Sequence, residues 1–218
     1  SGLVGYWKMN ENLIDTSFGN NGTIINSASF VDGKPGKALQ FNGGYANILD
    51  SHNIRLPTEL TIEAWVKRTR LDQVDIILEK GGDWNPSAPY YGSPNYGLGL
   101  HSDSYKGYMF YFFYYGGYKG TPGVTDLNWH HYVVVAKNGD SNIKLYIDNV
   151  EKTIQYSGGS SIVNLYDSNL PLHIGAQISQ NANYFSRNII DNVAVYNRML
   201  TPQEISEHYN SGQGKELC

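Results

Sequence analysis

One carboxylate lies within an otherwise apolar segment near the end of the chain. Residues 188–200 alternate as a β-strand does. The face predicted to be buried holds Ile189, Asp191, Val193 and Val195. A buried carboxylate at the entrance of such a strand is costly unless something compensates it. A bound cation could do so, and so could backbone N–H groups of a neighbouring loop. The residues alone leave both alternatives open.

Aromatic side chains concentrate between Asp83 and Tyr118. In the predicted strand Tyr108–Tyr115 they occupy both faces, so one aromatic face is expected to point outward. Exposed aromatic patches often mark binding surfaces, and Tyr or Trp rings suit the C–H faces of sugars. The predicted stacking platforms are Trp84, Tyr91, Tyr96 and Tyr111. The side chains predicted to orient hydroxyls are Asp83, Asn95 and His101. Alternatively, the loop from Gly81 to Asn95 folds over the strand and buries these rings.

No pair of carboxylates has the spacing that glycoside hydrolysis requires. Glycosidases place two carboxyl groups about 5 Å or about 6.5–9.5 Å apart. Asp75 and Glu79 come nearest, but four residues along a strand separate them by about 13 Å. Glu63 is alone on its strand, and such a residue usually lies on a solvated face. The sequence therefore predicts a protein that is not an enzyme.

The histidines show no zinc-binding pattern. His130 and His131 are adjacent on a predicted strand, so they point to opposite faces and cannot share a metal. His173 lies in an apolar segment and is predicted to be a core residue. No nucleophile elbow or phosphate-binding loop is present.

Short β-strands must position these residues. Leu60–Lys67 alternates, and the β-branched run Trp129–Ala136 indicates a strand buried on both faces. Asp148-Asn149 predicts a hairpin turn. Thr201–Glu204 is a capping box with Pro at the first helical position, and Gly212 marks the end of this helix. About a dozen short strands and one short helix are typical of a β-sandwich.

Composition excludes several classes of partner. The chain has 218 residues, a formal net charge of −4, 18 tyrosines and 24 glycines. This charge argues against nucleic acid and anionic membranes as partners. Cys218 is the single cysteine, so no internal disulfide can form. No run of about 18 apolar residues predicts membrane insertion. Because the chain starts with Ser1-Gly2 rather than Met, we expect a fragment of a larger protein.

Eight segments follow one another in a characteristic order. They are Leu3–Trp7, Asp15–Thr23, Gly36–Gly43, Leu60–Lys67, Asn128–Val133, Leu145–Asp148, Ile190–Leu200 and Thr201–Ile205. This set resembles the concanavalin A-like, laminin G-like jelly-roll domains of extracellular proteins, over nearly the whole chain. The resemblance implies an all-β fold: a two-sheet antiparallel jelly-roll sandwich with one short C-terminal helix, as a single domain over residues 1–218. A superfold of this kind does not by itself fix the ligand.

The resemblance also implies that the first and last strands pair, and that a structural calcium is often present. Pairing would bring Asp15, Asn20 and Asn21 of the long loop Asn10–Gly22 towards Asp191. Carboxylate and amide oxygens are the ligands that Ca²⁺ prefers. The alternative is that Asp15 and the asparagines cap turns.

These observations predict a non-catalytic, lectin-like carbohydrate-binding or adhesion module of an exported or cell-surface protein, with a structural Ca²⁺. Its expected partner is a glycan or polysaccharide, without nucleic acid or membrane insertion. The alternative is a protein–protein recognition or adhesion domain that binds no sugar. A glycoside hydrolase or lyase on the same fold is the third hypothesis.

Overall fold

Two antiparallel sheets enclose one shared core. The computed structural model describes residues 2–81, 94–102, 104, 107–113, 117–159, 162–178 and 184–217. The strands are β1 (Leu3–Trp7), β2 (Gly22–Ile25), β3 (Ala28–Asp32), β4 (Lys37–Phe41), β5 (Tyr45–Ile48), β6 (Glu59–Lys67), β7 (Asp75–Gly81), β8 (Pro94–Leu100), β9 (Met109–Phe113), β10 (Gly117–Thr121), β11 (Trp129–Lys137), β12 (Lys144–Ile147), β13 (Val150–Lys152), β14 (Tyr156–Gly158), β15 (Leu172–Ile174), β16 (Ala176–Gln177), β17 (Tyr184–Phe185) and β18 (Ile189–Tyr196). Helix α1 spans Pro202–Tyr209, and 3-10 turns lie at His52–Ile54 and Asn210–Gly212. The predicted all-β sandwich with a short C-terminal helix is confirmed.

The first sheet has the strand order β13-β12-β11-β6-β18-β4-β3, and β1 pairs with β18. The predicted pairing of the first and last strands is therefore confirmed. One face of this sheet packs on the second sheet through the main core. Helix α1 packs on part of the other face, where Tyr6, Tyr196 and Ile205 belong to a separate apolar cluster.

A β-bulge changes which residues of β18 share a face. The register with β6 shifts between Asp191 and Ala194, and Asn192 has a φ of 48°. Ile190, Val193 and Val195 therefore lie in the main core, while Ala194 belongs to the cluster beneath α1. The prediction that Ile189 and Asp191 share the core face of Val193 is wrong, because the extra residue of a bulge reverses the alternation.

The second sheet has the order β14-β10-β9-β8-β7-β15-β5-β2. Tyr96 and Tyr111 point inward from β8 and β9, and both rings are fully buried in the main core. The Tyr96 hydroxyl donates to the carbonyl of Ile54 at 2.8 Å. The prediction that these two rings are exposed stacking platforms is wrong, because the outward face of each strand holds the alternate residues.

Helix α1 begins with the predicted capping box. The Thr201 side chain accepts from the Glu204 amide at 3.2 Å, and the Glu204 carboxylate accepts from the Thr201 amide at 2.9 Å. The helix is held to the first sheet by Glu63, which is buried, although the sequence predicted a solvated position. His208 Nδ1 of α1 lies 3.0 Å from Glu63 Oε1.

Candidate functional site

The predicted metal ligands in the loop between β1 and β2 form a hydrogen-bonded turn. Both oxygens of Asp15 accept from donors: Oδ1 from the amides of Tyr6 and Ser17 and from the Ser17 hydroxyl, and Oδ2 from the amides of Phe18 and Asn20 and from the Asn20 side chain. Burial by itself raises the pKa of Asp15, but these donors outweigh it and lower that pKa. A carboxylate has about four lone-pair positions, so six donors occupy them fully.

The neighbouring amides are used in the same way. Asn20 Oδ1 accepts from the Ser51 hydroxyl, and Asn21 Oδ1 accepts from the Asp15 amide at 3.0 Å. These three residues therefore cap turns, and their oxygens do not fit a calcium site in this arrangement.

Asp191 is held by a different loop. Its Oδ2 accepts from the Lys34 amide at 2.5 Å, and it shares no hydrogen-bond partner with Asp15 in the described part of the chain. A backbone N–H group of a neighbouring loop, one of the two alternatives drawn from the sequence, is therefore present, but Oδ1 has no hydrogen-bond partner among the described residues. Among the described residues, no group of three or more His, Cys, Asp or Glu side chains could hold a metal ion. Calcium itself stays a prediction.

The outward face of the second sheet carries a continuous row of paired residues from six strands. Cross-strand pairing joins them from β5 to β10. We call this set the outer row, and it consists of Asn47, His173, Glu79, Gly97, Phe112 and Tyr118. The residues before and after each of these on its strand mostly belong to the main core, so the row faces away from it.

Aromatic rings cover one half of the outer row. The Phe112 ring lies directly over Gly97, where an added Cβ would come within 2.1 Å of it, and the Tyr118 ring lies over Gly158 in the same manner. Tyr118 is 44% exposed. Beside them, Phe110 covers Gly99, and Tyr108 stacks on Tyr156 with ring centroids 3.8 Å apart. In this half Tyr118 is exposed, Tyr108, Phe110 and Tyr156 are half-buried, and Phe112 is largely buried.

Polar side chains occupy the other half. Glu79 is fully buried, and Gln177 of the β16–β17 hairpin donates to its Oε1 at 3.3 Å. Burial raises the pKa of Glu79 well above its usual value. His173 pairs with Glu79, and burial, with the charge of Lys80 as a further cause, lowers its pKa to about 4. The His173 ring meets that of Tyr45 edge to face at 5.2 Å.

Two predicted ligand-binding residues lie near the outer row. Asn95 is on the outward side of β8, but it is buried, and its Oδ1 accepts from the Tyr166 amide at 2.8 Å. His101 is half-buried at the end of β8, with its ring 6.3 Å from that of Phe110. Burial and the charge of Arg68 lower its pKa. Asp83, Trp84 and Tyr91 lie outside the described residues.

Sequence reasoning missed the residues that the outer row brings together. Glu79 was considered only as a catalytic partner of Asp75, His173 was assigned to the core, and Phe112 and Tyr118 were not chosen. The available signal was the alternation of Asn95, Gly97 and Gly99 on β8. Glycine at every second position leaves room for the rings of a neighbouring strand, and this fixes the outward face.

The two acids of β7 have separate environments. Asp75 lies 3.7 Å from Arg68 and 3.7 Å from Arg70, and it also accepts from the Arg187 amide. No carboxylate is among the described groups that shift the pKa of Glu79. Asp75 and Glu79 therefore do not act as the two cooperating carboxyl groups that hydrolysis needs.

Comparisons with known proteins agree with this architecture. Residues 41–206 match the family described as the concanavalin A-like lectin/glucanases superfamily. No curated protein matches the chain. Domain 4 of AbnA, an extracellular GH43 arabinanase from Geobacillus stearothermophilus solved with arabinotriose, is similar in structure, with a TM-score of 0.67 and 20% identity over 94% of this chain and 97% of that one.

Two further solved structures are similar. The Trypanosoma rangeli sialidase in complex with sialic acid has a TM-score of 0.71 and 21% identity over 99% of this chain and 34% of that one. A botulinum neurotoxin type C structure, described as entering cells through two ganglioside molecules, has a TM-score of 0.67 and 12% identity over 96% of this chain and 51% of that one. The chain thus spans about a third of the sialidase and half of the toxin chain. At these identities the likeness shows the fold alone.

Proposed function

The chain belongs to the concanavalin A-like lectin/glucanase superfamily, and from that premise we propose that it is a non-catalytic carbohydrate-binding module. The observation that carries the proposal is the outer row, where exposed Tyr118, paired with the largely buried Phe112, adjoins a polar half within one sheet face. Aromatic rings match the C–H faces of sugars, and the polar half supplies partners for hydroxyls.

Similar folds support a glycan partner. The arabinanase domain was solved with arabinotriose, the sialidase with sialic acid, and the toxin is described with gangliosides. The same set includes enzymes, so the fold does not decide between binding and catalysis. The separate environments of Asp75 and Glu79 favour binding.

We further propose that the module belongs to an exported or cell-surface protein. The low charge, the abundance of tyrosine and the single cysteine are compatible with this setting. No helix in the described ranges is long and apolar enough to cross a membrane.

A glycan array with Tyr118→Ala tests the function. We expect the wild type to bind a set of glycans with micromolar-to-millimolar affinity, about −8 to −4 kcal/mol, as a shallow surface does. Tyr118→Ala should weaken binding about tenfold, because a stacking ring is worth on the order of 1 kcal/mol. Phe18→Ala is the matched control, since this exposed ring lies on the loop between β1 and β2 and not on the outer row.

Two outcomes would contradict the proposal. If the wild type binds no glycan and forms dimers or captures a protein partner through Tyr118, the protein-recognition alternative is favoured. If it releases reducing sugar from a polysaccharide, the domain is a hydrolase. Trp84→Ala belongs in the same array as a test of the predicted stacking role of Trp84.

A further inference from the structure

Two paired residues in the polar half of the outer row each carry a buried polar atom that lacks a partner in the described part of the chain. Within the described residues, Glu79 Oε2 and His173 Nδ1 have no hydrogen-bond partner. The two residues are directly paired between β7 and β15. Side chains paired in this way have Cβ atoms about 4.5–5.5 Å apart. Most buried polar groups in proteins are hydrogen-bonded, so two adjacent exceptions point to a ligand group that both could contact.

The surroundings of this pair suit a sugar ring. Tyr45 and Phe185 lie on one side, with ring centroids 6.1 Å apart, and the Phe112 ring lies over Gly97 on the other. From the hairpin, the half-exposed side chain of Gln177 donates to the Glu79 carboxyl over a long distance of 3.3 Å, and the Ile178 backbone also interacts with this carboxyl. Rotation of the Gln177 side chain would release Oε1 for a ligand hydroxyl.

We propose that Glu79 and His173 form a hydroxyl-binding subsite that selects neutral glycans over acidic ones, an inference that rests on the proposed function. Each group offers a donor or an acceptor to adjacent hydroxyls of one sugar. Tyr45, Phe185 and Phe112 supply the apolar contacts around it.

Burial shifts both members of the pair towards their uncharged forms. Burial raises the pKa of Glu79 well above its usual value and lowers that of His173 to about 4. A neutral carboxyl group can donate one hydrogen bond and accept others, which matches a sugar hydroxyl.

The charged groups nearby are turned away or neutralised. Lys80 pairs with Tyr96 on the inward side of the sheet, and its Nζ lies 2.5 Å from Asp50. The hairpin strands β16 and β17 contribute Ala176, Gln177, Tyr184 and Phe185, and none of these is charged. No cation among the described residues therefore faces the pair, and a sialic or uronic carboxylate would be desolvated there without compensation.

The test compares two substitutions at one position. Glu79→Gln keeps a neutral donor and acceptor of the same shape, so binding of a neutral oligosaccharide should stay within about threefold. Glu79→Met removes both, and binding should weaken by about tenfold or more, as loss of a buried polar contact to a ligand does. Thermal melts should show that both variants fold. The probe is an array of neutral and sialylated oligosaccharides, with neutral hits titrated by calorimetry.

The possible results distinguish a failure of the proposed subsite from a failure of the proposed carbohydrate-binding function. Neutral binding that Tyr118→Ala weakens but Glu79→Met leaves unchanged would overturn the subsite and keep the lectin role. A loss in Glu79→Gln as large as in Glu79→Met would overturn the neutral state of Glu79, and so would a preference for sialylated glycans. A wild type that binds no glycan at all would overturn both proposals.

Discussion

Asp191 is a buried carboxyl group in a strand, and its ionisation should be visible in the stability of the protein. Burial raises its pKa from 3.8 to about 7, while the amides of Lys34 and Asn192 oppose this shift. When folding raises the pKa of a group, the protonated form of that group favours the folded state. This stabilisation is complete below the pKa of the unfolded state and is lost as the pH rises through the pKa of the folded state. The loss therefore falls between about pH 4 and pH 7.

Asp191→Asn should remove this dependence. The amide oxygen of Asn still accepts from Lys34, and the side chain no longer ionises. We expect the variant to be more stable than the wild type at about pH 8, by on the order of 1–3 kcal/mol, with little difference at about pH 4. Urea unfolding at both pH values measures this. Asp32→Asn, at an exposed ion pair, is the control, and equal pH slopes for Asp191→Asn and the wild type would refute the assignment.

Single residues were hardest to place from the sequence when their partners lie far along the chain. Glu63 was predicted to be solvated because a lone acidic residue on a strand usually lies on a solvated face. In the fold it is 2% exposed, next to His131 Nε2 at 3.3 Å and bonded by the Tyr196 hydroxyl at 3.0 Å. Such partners arise from strand pairing and helix docking, which no local pattern encodes.

At the scale of elements, the docking of α1 depends on the Glu63 network. Burial alone would raise the pKa of Glu63, but hydrogen bonds with His131 and His208 outweigh it and lower that pKa to about 2. His208→Ala removes the partner contributed by the helix. We expect a loss of about 1–3 kcal/mol in the free energy of unfolding, because a buried carboxylate then lacks one of its partners.

The readout specific to docking is hydrogen exchange. Amides of α1 should exchange faster in His208→Ala, while those of β6 and β11 should change only with global stability. Gln203→Ala, on the exposed side of the same helix, should shift stability by less than about 0.5 kcal/mol. Equal protection of α1 in His208→Ala and the wild type would show that the contact does not hold the helix.

The presence of strands and of the helix was predictable from the sequence, but the face on which each strand residue lies was not. The capping box at Thr201 and the hairpin turn at Asp148-Asn149 are local signals, and the structure confirms both. In β18 the alternation predicted Asp191 on the core face, but the bulge at Asn192 reversed it. A bulge depends on the partner strand, so the period of two in one strand cannot reveal it.

At the scale of the whole molecule, the candidate site is a product of topology. Asn47, His173 and Glu79 are distant in sequence, yet they are neighbours because β15 inserts between β5 and β7. The sequence indicated an aromatic binding face on β9, but it selected Tyr111, the inward residue. Choosing the correct face required knowledge of which sheet β9 joins and where the core lies.

The dependence of the whole fold on calcium is the last expectation that the structure makes testable. The donors around Asp15, Asn20 and Asn21 already satisfy the oxygens that the sequence predicted as ligands. A cation that binds the native state must raise the melting midpoint by mass action. We therefore expect Asp15→Ala to lower the midpoint equally in excess Ca²⁺ and in chelator, since the variant loses hydrogen bonds and not a metal ligand. A midpoint that rises with Ca²⁺ in the wild type but not in Asp15→Ala would restore a calcium site at this loop, and it would require the turn around Asp15 to rearrange on binding.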